Sequence, residues 1–382
     1  MKIAIVHDFL TQYGGAEKVL EALHEIWPEA PIFTLFYDKK KLGDKFKNFE
    51  IKVSPIQNLP LALSFYRFYL PLLPAAIERF NLNEYDLIIS NCSSFAKGVV
   101  TKRESLHLSY VHCPTRFLWA DTHQYLDSLK GLEGFLRKII TSVLTALRVW
   151  DAQAAQRPDR LLANSNFIAK EIQHFYRREA QVIYPPVETD NFFISDKIEN
   201  YFLLISRMRF YKKVDLAIEA FSQLGLPLKI IGGDKREIRL RAYSAEAASA
   251  AKAGQGFGGP AGNIEFLGFV DEATKAKYLS RAQALIFPQK EDFGITAVEA
   301  MASGRPVIAF RGGGALETVI EKETGLFFDK QEPSSLAETI KKFKSEDFNP
   351  QKIRDYSLKF DKKIFKKNME DIVKHAWQNK FK

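Results

Sequence analysis

Glu291-Asp292-Phe293-Gly294-Ile295-Thr296-Ala297-Val298-Glu299 runs directly into Ala300-Met301-Ala302-Ser303-Gly304-Arg305-Pro306-Val307-Ile308-Ala309. The stretch places an acidic loop, a glycine, a short helix and a buried strand in one continuous run. Gly304 reads as the helix stop, Pro306 prevents a restart, and Val307–Phe310 reads as an apolar strand. Gly294 lets backbone N–H groups at the helix start approach a phosphate, and the helix dipole favours negative charge there. Glu299 is then expected on the first or second turn and Glu291 in the loop before it, with seven residues between them. Taken singly, each carboxylate has an ordinary explanation as a dipole partner or a solvated loop residue. The run as a whole describes a site that holds a diphosphate on N–H groups and a polyol on carboxylates.

The same alternation of short apolar runs and helical patterns extends along the chain. Expected strands are Ile3–Val6, Ile32–Phe36, Leu87–Asn91, Ser109–His112, Arg160–Ala163 and Gln181–Ile183, then Phe202–Ile205, Leu228–Gly232, Ile264–Leu267, Ala284–Phe287 and Val307–Phe310. Strand–helix–strand repetition predicts an α/β fold of parallel sheets covered on both faces. The pattern resets at Tyr184-Pro185-Pro186-Val187, where two prolines suit a connector. The expected domains are therefore 1–185, 186–355 and a helical tail, 356–382, whose stripe comprises Phe360, Phe365, Ile372, Val373 and Trp377. Ligands in open parallel sheets bind beyond the C-terminal strand ends, so two such sheets are expected to face each other across a cleft.

A length of 382 residues accommodates two cores. Two cysteines, Cys92 and Cys113, provide neither a disulfide framework nor a Cys-rich zinc site, which fits a reducing cytoplasm. The opening Met1-Lys2-Ile3-Ala4-Ile5-Val6 is too short an apolar run for a leader. Of the net charge of +9, the stretch 351–382 supplies +6, from ten Lys/Arg against four Asp/Glu. Zinc-finger spacing, RNA-recognition aromatics and dense basic-aromatic patches are missing from the sequence, which argues against nucleic acid. Residues 58–80 and 134–150 are rich in apolar side chains. Arg67 and three prolines interrupt the first run, which excludes a membrane span. Both runs read as core or domain packing, with an acceptor groove at an anionic membrane surface as the functional alternative. The Ala/Gly-rich stretch 244–262 is expected to include a flexible loop without assigned function.

Several loops carry chemistry. Gly14-Gly15 follows the first strand and permits close approach of backbone to ligand. Arg207 and Lys212, five positions apart after the strand Phe202–Ile205, combine a planar fork with a mobile point charge and can converge on one diphosphate. His112 stands at a strand end, where a hydrogen bond to a ligand competes with a purely structural role. Gly232-Gly233-Asp234, Leu267-Gly268-Phe269-Val270 and Gly312-Gly313-Gly314 are further turns at strand ends. No His/Asp/Glu cluster has metal-ligand spacing.

The Glu-x7-Glu run resembles that of retaining nucleotide-sugar glycosyltransferases of the GT-B fold, family 4. The likeness covers nearly the whole chain and is strongest over 202–330. It implies two Rossmann-like, doubly wound parallel-sheet domains and a C-terminal helix returning to the first. It implies that His112, Arg207, Lys212 and Glu291 serve catalysis. Gly15, Gly232, Gly233, Val270, Phe293, Gly294, Ile295 and Glu299 would bind the donor. Glu291 would orient the sugar, Glu299 would accept from the ribose, and Arg207 and Lys212 would take the diphosphate in place of a metal, with no cofactor. Ser206 and Lys213 stand where the family has glycines, which leaves open whether Arg209 or Lys213 shares the phosphate charge. The runs Tyr110–Trp119 and Val182–Val187 resemble bacterial and archaeal mannosyltransferases of surface-polysaccharide assembly, implying GDP-mannose as donor and a glycan or lipid-linked acceptor. A UDP-sugar donor is the near alternative. A sugar-nucleotide epimerase or an inactive scaffold of the same fold is the alternative of another class.

Overall fold

The computed structural model describes residues 1–128, 135–208, 210–233 and 262–380. Arg209, Asp234 and most of the Ala/Gly-rich stretch 244–262 lie outside the described residues. The chain divides into two units, Met1–Pro186 with Lys363–Lys382, and Val187–Lys362. The changeover near Pro186 falls in the diproline run. The return to the first unit comes at Lys363, later than residue 356.

In the first unit seven parallel strands, β1 (Ile3–Leu10), β2 (Ile32–Tyr37), β3 (Ile51–Val53), β4 (Leu87–Cys92), β5 (Leu106–Val111), β6 (Arg160–Ala163) and β7 (Ala180–Val182), lie in the order β3-β2-β1-β4-β5-β6-β7. Every residue of β2, β4 and β5 is buried, as expected of strands covered on both faces. One face packs Val19 and Leu23 of the helix Gly15–Ile26 and Phe365, Met369 and Ile372 of the C-terminal helix Lys362–Lys380 against Ile5, Ile89 and Leu108. The other face packs Leu73, Ile77, Leu144 and Leu147 against Val6, Phe36 and Ile88. Tyr110 ties the C-terminal helix in: its ring meets Phe365 edge-on at 5.8 Å and its hydroxyl donates to the Ile183 carbonyl at 2.8 Å. The strand order reverses between β1 and β4, which opens a crevice at their C-terminal ends.

The second unit repeats the plan with six parallel strands, β8 (Phe202–Ile205), β9 (Leu228–Ile231), β10 (Ile264–Gly268), β11 (Leu285–Phe287), β12 (Val307–Phe310) and β13 (Gly325–Phe328), ordered β10-β9-β8-β11-β12-β13. The reversal here falls between β8 and β11, so the loops after those strands flank the crevice. A core of Leu204, Ile218, Phe221, Ile230, Ile286, Ile308 and Leu336 holds the helix Val214–Leu224 against the sheet.

Some expectations need correction. The strand read as Ser109–His112 begins at Leu106 and stops at Val111, leaving His112 in the loop. Phe360 is not part of the C-terminal stripe. It belongs to the second unit, where its ring meets Phe293 at 5.4 Å. The apolar run 58–80 is only partly core: Ala62, Leu70, Leu73 and Ile77 are buried, whereas Leu61, Phe65, Phe68 and Leu72 are 70%, 51%, 80% and 50% exposed. Ile139 and Val149 of the helix Phe135–Ala154 are likewise exposed. No helix among the described residues is long and apolar enough to cross a membrane.

Candidate active site

The loop after β11 carries Gln289, Lys290, Glu291, Asp292 and Phe293, and ends at Gly294 with φ +97°, in the left-handed region that glycine adopts without strain. The helix Ile295–Ala302 starts there. The N–H groups of Ile295 and Thr296 precede its first internal hydrogen bond, and the dipole adds positive potential at that end. Phe293 is buried and anchors the loop. Beneath it, Gly314 donates its N–H to the Glu291 carbonyl at 2.8 Å. A Cβ at Gly313 would collide with that carbonyl, and one at Gly314 with the Phe293 backbone. The Gly312–Gly314 turn therefore supports the acidic loop from below.

Lys212 and Glu291, residues 79 apart in sequence, form a direct ion pair whose side chains are largely buried. The pair brings the loop after β8 against the loop after β11. Lys213, where the family has a glycine, sits at φ +53° as the residue before the helix Val214–Leu224. A side chain there costs about 1 kcal/mol, and the departure is tolerated because that helix is anchored by a buried face including Val214, Ile218 and Phe221. Ser206 is buried, and a Cβ at Gly232 would collide with its carbonyl oxygen. Gly232, at φ +108°, thus owes its identity to the turn and to close packing against Ser206, and Gly233, at φ +78°, to the turn. Val270 follows β10 beside the strongly exposed Phe269.

Glu299 lies on the second turn of its helix and is 3% exposed. Its Oε2 is 2.9 Å from the ammonium of Lys275, itself buried on the helix Glu272–Arg281 and 2.7 Å from Glu272. Lys275 was not anticipated from sequence: the helix and the ion pair are legible only once Glu272–Arg281 is packed beside Ile295–Ala302.

In the first unit, Gly15 opens the helix after β1, with Gly14 extended before it. Asp8 accepts the backbone N–H groups of Ser93, Ser94, Phe95 and Ala96 at 2.5–2.8 Å and so pins the turn after β4. His112 is partly buried, and its Nε2 lies 2.5 Å from Asn91 Oδ1. Burial and the neighbouring His7 push its pKa down to about 3, so at neutral pH it is an uncharged imidazole. Below the loop that follows His112 lies a buried ion pair, Lys97–Asp151, at 2.6 Å. Asp151 also accepts from Thr115, Tyr176 and the Trp119 indole at 2.7, 2.8 and 2.8 Å. Among the described residues no group of three or more His, Cys, Asp or Glu could hold a metal ion.

Two doubly wound parallel-sheet units, the second presenting a cationic loop and an acidic loop at a helix N-terminus, are the architecture of the GT-B fold. Residues 188–360 match the family model described as glycosyl transferases group 1. The alpha-1,3/1,6-mannosyltransferase alg2 of Schizosaccharomyces pombe is 28% identical over 373 residues, spanning 85% of this chain and 70% of that protein. ALG2 of Saccharomyces cerevisiae, with the same described activity, is 26% identical over 83% of this chain and 71% of its own length. The fold is shared with HepE of Anabaena, solved in complex with UDP, at a TM-score of 0.69 and 18% identity over 98% of this chain and all of that one. The match to glycosyl transferases group 1 over residues 188–360, a little under half of the chain, together with the likeness to the alg2 enzymes, supports an enzyme that transfers a glycosyl group.

Proposed function

We propose that the chain is a retaining mannosyltransferase that moves mannose from GDP-mannose to a glycan or lipid-linked acceptor. The single observation that carries the reading is the Lys212–Glu291 pair set beside the Gly294 helix start. The two charges neutralise each other in this pair. A nucleotide sugar would divide them, the ammonium passing to the diphosphate and the carboxylate to the sugar hydroxyls. Arg207 joins Lys212 on the diphosphate, where negative charge grows as the bond from the sugar's anomeric carbon to the phosphate oxygen breaks. Phe293, Gly294 and Ile295 contribute backbone groups, and Glu299, oriented by Lys275, accepts from the ribose. Val270 and the Gly232–Gly233 turn border the nucleotide. For the first unit, taken by itself, the resemblance assigns Gly15 to a phosphate and His112 to a sugar hydroxyl. The acceptor oxygen attacks the anomeric carbon on the face the diphosphate leaves, and its proton passes to the departing phosphate oxygen. No carboxylate is assigned as a nucleophile on the opposite face. Two cations and helix N–H groups supply the charge compensation, so turnover is metal-independent. The choice of mannose and GDP is supported by the likeness to the alg2 enzymes.

A thermal-shift panel of nucleoside diphosphates and their sugars, run in EDTA, tests this. Guanosine diphosphate and GDP-mannose are expected to raise the melting temperature, since ligands that bind only the native state stabilise it. A response confined to the uridine series, or one that needs Mg²⁺, would replace the donor or the metal-free scheme.

A lipid-linked acceptor places the reaction at a membrane surface, and the exposed Leu61, Phe65, Phe68 and Leu72 suit shallow insertion there. The net charge of +9 adds attraction to an anionic leaflet. The chain is expected to float with anionic vesicles at low salt, and Phe65→Ser/Phe68→Ser to abolish it. Absence of flotation removes peripheral membrane binding.

A further inference from the structure

Asn91 lies near the C-terminal end of β4, in register with His7 of β1 and Tyr110 of β5. Its carboxamide touches three groups. Nδ2 is 2.8 Å from the Ala16 carbonyl oxygen and 3.1 Å from His7 Nδ1, and Oδ1 is 2.5 Å from His112 Nε2. A carbonyl oxygen can only accept, so the amide nitrogen must face Ala16, which sets the orientation of the whole carboxamide. The proton positions follow from that orientation. Oδ1 also can only accept, so the proton of the neutral His112 ring is on Nε2. Nδ1 of His112 is left with a lone pair and has no hydrogen-bond partner among the described residues. His7 Nδ1 accepts from the amide, so its own proton is on Nε2, which faces Glu17 Oε1 at 3.6 Å. Both His7 and Glu17 are buried.

We propose that Asn91 is a positioning residue that locks His112 in the Nε2–H tautomer, so that Nδ1 presents a lone pair to a substrate hydroxyl. This rests on the reading above in which His112 meets a sugar. It makes His112 an acceptor rather than a donor: it favours a ligand carrying a hydroxyl at that place over its deoxy analogue, and it does not bind phosphate as a cation. The amide is itself held at two further points, Ala16 on the helix Gly15–Ile26 and His7 on β1, so rotation that would swap Oδ1 for Nδ2 breaks both bonds. The titratable groups around the imidazole are His7 on β1, Glu17 beyond it on the helix, and Tyr110 on β5, whose ring lies 5.3 Å from it.

A long-range 1H–15N spectrum of the full chain tests the lock directly, with the His112 signals assigned by their loss in His112→Gln. The expected pattern is a protonated Nε2 and an unprotonated Nδ1. An unprotonated Nε2 overturns the proposal. Asn91→Asp keeps the shape but sets a carboxylate against the ring. Its His112 is expected to carry protons on both nitrogens, and turnover to fall at least ~10-fold, the scale of disturbing the partner that fixes a functional histidine's tautomer. A ring and turnover unchanged in Asn91→Asp also overturn it. Should that variant fail to fold, the wild-type spectrum decides alone. The spectrum needs no donor, so the expected tautomer alongside full activity in His112→Gln would sink the assigned role of His112 and leave the proton lock standing.

Discussion

Glu291→Ala and Lys212→Ala are each expected to lower turnover at least ~100-fold, the scale of losing one preorganised charge partner at the centre where charge develops. The two substitutions act on different parts of the donor. In the proposed roles, removing Lys212 takes from the diphosphate a cation whose attraction strengthens as the leaving group gains charge. In the same proposal, removing Glu291 takes from the sugar the acceptor that would hold its ring for attack. Because the two side chains touch each other, each single variant also leaves its partner without a counter-charge, and the loss in the double variant is expected to be much less than the product of the two losses. The pair sits in a loop region rather than in the core, so the folded state should survive both changes. Steady-state assays with GDP-mannose and an acceptor read the effect. Near-normal turnover in both single variants would defeat the site assignment.

Asp151→Ala is expected to destabilise the first unit by about 3–5 kcal/mol, the usual consequence of stripping one partner from a buried ion pair. Lys97 and Asp151 are each 1% exposed. Burial opposes the Lys97 charge, but Asp151 and Tyr176 hold its pKa well above the ordinary lysine value. Removing the carboxylate strands that ammonium in the interior together with three further donors, Thr115, Tyr176 and Trp119. The double variant Lys97→Met/Asp151→Leu removes the unpaired charge as well and should recover much of the loss. Urea denaturation followed by tryptophan fluorescence measures both, since Trp119 is part of the cluster. A loss below about 1 kcal/mol in Asp151→Ala would mean that water or another residue takes over the lysine.

The parallel architecture was legible because strands covered on both faces are mostly apolar, and β2, β4 and β5, every residue of which is buried, read as such runs despite Thr34, Ser90, Asn91, His107 and Ser109. Two strands escaped detection for physical reasons. Ile51–Val53 is a three-residue edge strand, half-buried and carrying Lys52, so it shows neither a continuous apolar run nor a long alternation. Gly325–Phe328 opens on a glycine, which in sequence reads as a breaker. In the structure a Cβ at Gly325 would strike the Val307 carbonyl, so glycine is what allows β13 to lie against β12. The exposed face of residues 61–72 was likewise hidden, because an apolar residue looks the same in a string of letters whether it is buried or left at the surface.

Local chemistry could be read from the chain itself: which loops carry glycines, cations and carboxylates, and that a helix start follows Gly294. These depend on neighbours a few residues away, and spacing along the chain encodes them. Partnerships across the fold could not be read that way. Lys212 reaches Glu291, Lys275 reaches Glu299, and Asn91 bridges His7 and His112. Each joins residues from different strand ends or helices. Such contacts arise from the order in which strands lie in a sheet, and the spacing of residues along one segment carries no trace of that order.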